Sequence, residues 1–199
     1  MAKLTSKVLE SVYTKLDDTI LKHASKHGMF LIGGTAIDVC CKKLGIRNWR
    51  QRSKNDFDFV CGYDSEELIK FINKLISIGF EINVSDDYMV ILEHPKHDIS
   101  VDVLIDYGFR EEDEYKIGDT LVANPIYLFT SKFSRYITKS PNPERDFNDL
   151  VQILQIIDSF NLFDEFESEI YKSSYGESEL EEINKMIEYA LQIQASDDK

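Results

Sequence analysis

Residues 55–61 of the chain read NDFDFVC, and residues 98–106 read DISVDVLID. Side chains alternate across a β-strand, so Asp56 and Asp58 would project from one face while Phe57 and Phe59 enter a core on the other. In the second stretch Ile99, Val101, Val103 and Ile105 make an apolar face, and Asp98, Ser100, Asp102 and Asp106 occupy the other, interrupted only by Leu104. Asp102 sits mid-strand between two valines, where packing on the reverse face would hold it, whereas Asp106 lies close to a turn. Oxygen ligands so placed suit Mg²⁺, which takes one or two carboxylates and fills its remaining positions with water and substrate phosphate. Asp56, Asp58 and Asp102 together would hold two ions, Mg²⁺ or Mn²⁺, to orient a nucleoside triphosphate and activate an attacking hydroxyl. Aspartates on the wet face of an alternating strand are also commonplace in proteins without such chemistry, so the pair does not stand alone.

Two upstream features join the carboxylates. The apolar run MFLI at 29–32 stops at Gly33 and Gly34, and Thr35 follows as a candidate cap for the next helix. A buried strand that ends in Gly-Gly and leads into a helix lets backbone amides approach a phosphate closely, with the helix N-terminus aimed at the charge. Before Asp56, the cations Lys42, Lys43, Arg47, Arg50, Arg52 and Lys54 fall within 13 residues, and Trp49 stands among them. The formal net charge is -13, yet residues 1–55 hold 11 Lys and Arg against 4 Asp and Glu, and residues 56–199 hold 12 against 32. A polyanion such as RNA would therefore meet the N-terminal third, with Arg47, Trp49 and Arg50 as candidate nucleic-acid contacts through phosphate pairing and base stacking. The alternative is a solvated loop that balances the acidic body, its tryptophan tucked against the core.

The elements that must position these groups can be read from periodicity. Leu9, Val12, Leu16, Ile20 and Leu21 mark one or two amphipathic helices over residues 4–27, and MFLI marks a buried strand. The helix after Thr35 runs to a natural stop at Gly45. DFDFV is a strand, SEELIKFINKLISIG a strongly periodic helix, and FEINV, YMVILE and DISVDVLID three more strands. From Asn124 the pattern is helical: NPIYLFTSKFSRYITK carries a basic stripe of Lys132, Arg135 and Lys139 beside an apolar one, as exposed helices often do. The next helix has Asn142 as its cap and Pro143 at its first position, and two acidic helices over 163–172 and 177–194 close the chain. The order predicts an α/β (α+β) fold: a mixed β-sheet with helices on one face over residues 1–124, and a C-terminal helical bundle over 125–199 packed on it.

LIGGTAIDV, DFDFV and SVDVL together resemble the Gly-Gly or Gly-Ser, Asp-x-Asp and distant Asp signature of the DNA polymerase β nucleotidyltransferase superfamily. Within it, GGTA, the arginine before DFDF, and the later lysine with ERDFNDL look most like the AbiEii-type nucleotidyltransferase toxins of bacterial toxin-antitoxin and abortive-infection systems. The resemblance spans residues 29–155. It implies NTP-dependent transfer of a nucleoside monophosphate, with Gly33, Gly34, Thr35, Arg52 and Ser53 near the triphosphate and Asp56 and Asp58 on the metals. Asp102 takes the third carboxylate position, which assists in activating the acceptor. Lys132, with Arg135 beside it, matches the basic residue of the later helix that binds nucleotide, and Asp146 or Asp149 matches the acidic residue beyond it. Both aspartates would equally suit the first turns of a helix. The chain departs from the pattern in the 21 residues between Gly34 and Asp56, a longer stretch than usual, and in Lys54, which stands where Ser or Thr is general.

Composition bounds the alternatives. Cys40, Cys41 and Cys61 do not form a disulfide framework, and the four histidines offer no zinc spacing to go with them. No apolar run approaches the roughly 20 residues that cross a bilayer, and MAKLTSKVLESVY lacks the apolar stretch of a signal peptide, so a cytoplasmic protein without a membrane partner is expected. The acidic C-terminal part suits a basic protein partner, such as a cognate antitoxin. The expected function is metal-dependent NMP transfer from an NTP to a hydroxyl on an RNA end, a protein or a small molecule. The alternative is a non-catalytic nucleotide-binding or partner-binding module that retains the fold.

Overall fold

The computed structural model describes residues 6–48, 55–62, 65–109, 114–138 and 141–197. Among them the order is α1 (Ser6–Lys26), β1 (Phe30–Ile32), α2 (Gly33–Leu44), β2 (Asn55–Cys61), α3 (Ser65–Ser77), β3 (Glu81–Ser85), β4 (Met89–Glu93) and β5 (Ile99–Ile105). A hairpin of β6 (Glu114–Ile117) and β7 (Thr120–Ala123) follows, and then α4 (Pro125–Ile137), α5 (Pro143–Ser159), α6 (Phe163–Lys172) and α7 (Glu177–Asp197). The chain divides into two compact units, Met1–Leu31 with Lys54–Val122, and Ile32–Ser53 with Ala123–Lys199.

The first unit is built on a seven-stranded sheet of order β3-β4-β5-β2-β1-β7-β6. β2 and β5 run parallel, as do β1 and β7, while β4 pairs antiparallel with both β3 and β5, so the sheet is mixed as the sequence predicts. Phe57, Phe59, Val101 and Val103 turn inward and are at most 1% exposed, with Phe71 and Leu75 of α3 fully buried beside them. The Phe59 and Phe71 rings meet edge to face at 5.6 Å, a favourable aromatic geometry. The opposite residues of β2 and β5 are thereby fixed outward, because a slip of one position would exchange the two faces. At the outer edge all five residues of β3 are exposed, and its register shifts between Ile82 and Val84. Such an irregularity discourages a further strand from adding there.

The β6–β7 hairpin is not apparent from sequence. Its strands are four residues each, too short for a clear period, and Lys116 and Asp119 interrupt the apolar pattern. Only Gly118, at φ 63°, marks the turn.

In the second unit, α5 is the central helix, burying ten residues from Asp146 to Ile157. Its cap is the expected one: Asn142 accepts from the amide of Arg145, and Pro143 opens the helix. α2 differs from expectation. It begins at Gly33, with Ile32 in the cap position and no side-chain cap, and Thr35 lies inside the first turn, 5% exposed. The reason is that Gly33 adopts φ 64°, which completes the reversal from strand to helix before Thr35 is reached. Gly45 ends the helix at φ 72° as a left-handed cap.

Candidate functional site

The site in the first unit is assembled by register. Asp58 on β2 stands directly opposite Asp102 on β5, and Asp56 stands opposite Ser100. Adjacent strands lie about 4.8 Å apart and same-face neighbours on one strand roughly 7 Å apart, so the three carboxylates occupy neighbouring positions of a small grid. The Ser100 hydroxyl donates to Asp56 Oδ1 at 3.2 Å. Asp102 Oδ1 is buried and receives no hydrogen bond. Burial, followed by the charges of Asp58, Asp56 and Glu93, pushes the Asp102 carboxyl up from 3.8 to about 6. Asp106, also on the polar face in sequence, is occupied with the turn after β5, where it accepts from the Gly108 amide at 2.8 Å.

Glu93, the last residue of MVILE, has no motif or spacing that ties it to the aspartates. It belongs to β4, opposite Ser100, and reaches the group only through the β4–β5 register, for which no local signal exists.

Among the described residues no three His, Cys, Asp or Glu side chains are gathered closely enough to enclose a metal ion. The carboxylates share a face and do not form a closed cage. That suits Mg²⁺, which is held by one or two carboxylates with water and substrate completing its shell. The donors are all oxygen, one buried oxygen has no hydrogen-bond donor, and their mutual repulsion would be relieved by a cation.

The remaining candidates belong to the second unit or lie outside the described residues. Gly33 and Gly34 open α2, directly after the strand, where first-turn amides and the positive end of the helix favour an anion. On α4, Lys132 Nζ lies 2.7 Å from Asp149 Oδ2 and 3.5 Å from Asp146 Oδ1, and Arg135 donates to both oxygens of Asp146 at 2.9 and 3.2 Å. Both aspartates are completely buried, Lys132 is 12% exposed and Arg135 53%. This cluster ties α4 to α5. The Arg47 carbonyl accepts from Gln152 Nε2 at 3.1 Å, and Asn48 Nδ2 donates to Asp38 at 2.7 Å, which fixes where the basic stretch leaves α2. Trp49, Arg50, Arg52 and Ser53 lie outside the described residues.

No protein-family model matches the chain, and no curated protein matches it. Solved structures do. The chain is similar to ANT(2″)-Ia in complex with adenylyl-2″-tobramycin, with 16% identity, 80% of this chain and 99% of that one covered, and a TM-score of 0.56. It is also similar to the Megavirus polyadenylate synthase, with 11% identity, 78% of this chain and 38% of that one covered, and a TM-score of 0.53. The mixed α/β architecture is that of the nucleotidyltransferase fold.

Proposed function

We propose that the protein is a metal-dependent nucleotidyltransferase that moves a nucleoside monophosphate from an NTP to an acceptor hydroxyl. The observation that carries this reading is the register that sets Asp58 opposite Asp102 with Asp56 one repeat away, on an outward face whose reverse is locked in the core. Asp56, Asp58 and Asp102 would hold Mg²⁺, which supplies charge neutralisation at the phosphates and lowers the pKa of the attacking hydroxyl. In the transfer the acceptor oxygen bonds to the α-phosphorus, the bond from that phosphorus to the bridging oxygen breaks, and pyrophosphate leaves. The hydroxyl proton passes to Asp102 or to water. Ser100 keeps Asp56 oriented, and Gly33 and Gly34 offer amides suited to a phosphate. Lys132 and Arg135 remain candidate nucleotide ligands by resemblance.

The AbiEii-type resemblance adds a toxin role, for which the acidic α6 and α7 would be the face presented to a basic antitoxin. Co-expression with genomic neighbours tests that role by co-purification, and loss of the complex in moderate salt is the expected signature.

For the activity itself, each labelled NTP is incubated with Mg²⁺, total RNA, lysate protein and small alcohols as acceptors. Label should move to one acceptor class and pyrophosphate should accumulate. Asp56→Asn and Asp58→Asn should abolish transfer while the circular dichroism spectrum stays unchanged. Substantial activity in either purified variant refutes the assignment. A wild type that binds Mg²⁺ and NTP but transfers nothing identifies a non-catalytic nucleotide-binding module.

A further inference from the structure

The outward face of the sheet continues past the carboxylates onto β4 and β3, and its composition follows from the register. One row contains Asp56, Ser100, Glu93 and Glu81; the next contains Asp58, Asp102, Ile91 and Val84; the third brings Leu104 beside Met89. Asp102 therefore borders Ile91 directly across the β4–β5 pair. Leu104 is 38% exposed, Val84 36%, and Ile91 and Met89 are half-buried, so the apolar corner is open at its outer side. Its acidic border is Glu81 and Glu93, which face each other across β3 and β4 and are both exposed. β2, β3, β4 and β5 contain no Lys, Arg or His at all.

We propose that Val84, Met89, Ile91 and Leu104 form a shelf that seats the apolar body of the acceptor, and that the acceptor is a small cationic alcohol. The proposal rests on the transferase reading and gives that reaction its substrate class. Two physical arguments select the occupant. A nucleic-acid acceptor carries a charge at every phosphate and needs cations along its track; these four strands supply none and present Glu81 and Glu93 instead. An uncharged acceptor would find the shelf but leave the acidic border unused, whereas an amine attached to an apolar body matches both. With the body against Ile91 and Leu104, a hydroxyl on it lies beside Asp102, where its oxygen can attack the α-phosphorus and its proton can leave. Ile91 and Leu104 are then specificity-determining residues, and Glu93 selects for positive charge.

The test uses the full chain with labelled Ile, Leu, Val and Met methyl groups, titrated with 2-amino-1-phenylethanol and related amino alcohols, and in a parallel arm with a short oligoadenylate bearing a free 3′-hydroxyl. The amino alcohols should shift the methyl signals of Val84, Met89, Ile91 and Leu104 and leave those of buried Val101 and Val103 in place. In transfer assays, Ile91→Thr with Leu104→Ser should raise KM for the amino alcohol about tenfold, the scale of one or two lost methyl contacts, with KM for NTP unchanged. Glu93→Gln should weaken the amine selectively over its uncharged alcohol counterpart. If NTP and Mg²⁺ bind but the four methyls do not move, or if oligoadenylate is the preferred acceptor, the shelf assignment is overturned and the transferase reading stands. If no NTP binds with Mg²⁺, the transferase reading falls and the acceptor assignment falls with it, whatever the methyls show.

Discussion

Replacing Asp102 by Asn should stabilise the metal-free protein at neutral pH while destroying its response to Mg²⁺ and NTP. Asp102 ionises with difficulty because it is partly desolvated and faces Asp58, Asp56 and Glu93. A carboxyl raised in the folded state binds its proton more tightly there than in the unfolded chain. Its contribution to stability is therefore fully present below pH 3.8 and is lost as pH rises through about 6. Taken at face value, the rise from 3.8 to about 6 corresponds to about 3 kcal/mol of destabilisation above pH 7. The group is only about half-buried, so solvent screening reduces this to roughly 1 to 2 kcal/mol. Asn removes the charge at nearly constant shape, and the gain should appear as a rise in melting temperature of about 2 to 8 °C at pH 8 in EDTA for a chain of this size. By pH 5 about half of the difference should remain, because the wild-type carboxyl is then mostly protonated in the fold while it is still mostly ionised in the unfolded chain. With Mg²⁺ and NTP added, the order should invert, as only the wild type gains ligand stabilisation. Urea titrations of both proteins at pH 8 and pH 5, with and without ligand, measure all of this. An Asn variant no more stable than the wild type at pH 8, or a gain equally large at pH 5, would show that the three carboxylates do not crowd one another as the register indicates.

Three further outcomes follow from other parts of the chain. Asp149→Ala should destabilise the protein by about 3 to 5 kcal/mol in urea, because it leaves the nearly buried Lys132 without the carboxylate 2.7 Å away; a loss under 1 kcal/mol would mean that the ion pair is not what ties α4 to α5. Gly33→Ala should cost about 1 to 2 kcal/mol by the same measurement, since a Cβ is disfavoured at φ 64°, and an unchanged midpoint would contradict the strand-to-helix turn. Asn142→Ala should cost about 1 kcal/mol through loss of the bond from the Arg145 amide, and faster amide exchange confined to the first turn of α5 would locate the effect.

The sequence makes legible those features that depend on neighbours a few residues away. Phe57 and Phe59 in β2, and Val101 and Val103 in β5, announce their faces by alternation, and that is enough to place Asp56, Asp58 and Asp102 outward. The cap and proline of α5 and the glycine that ends α2 are equally local. Pairing is not local. Nothing in MVILE says that Ile91 will face Asp102 and Glu93 will face Ser100, since a strand of five residues pairs as well in several registers until its neighbours fix one. Glu93 and the apolar corner were invisible for that reason, and the β6–β7 hairpin was too short to show a period.

The cluster on α4 and α5 shows where a sequence reading and a structural one meet without coinciding. Asp146 and Asp149 read in sequence as acids suited to the first turns of a helix, a role that requires only solvent and the helix dipole. In the fold they are completely buried, and Lys132 and Arg135 reach them from α4. Lys132 is a nucleotide ligand by resemblance alone, and by periodicity a basic residue beside the apolar stripe of a surface helix. Its ammonium is almost enclosed at 2.7 Å from Asp149, so to meet a phosphate it would have to leave a buried carboxylate behind or hold both anions at once. The first course carries the penalty of an unpaired buried charge. The second needs only that Nζ keep one of its three protons directed outward, which is within the capacity of an ammonium group. Any nucleotide contact by Lys132 should therefore be a shared one, and Arg135, half-exposed and with five donors of which Asp146 engages few, is the freer of the two cations to answer a phosphate.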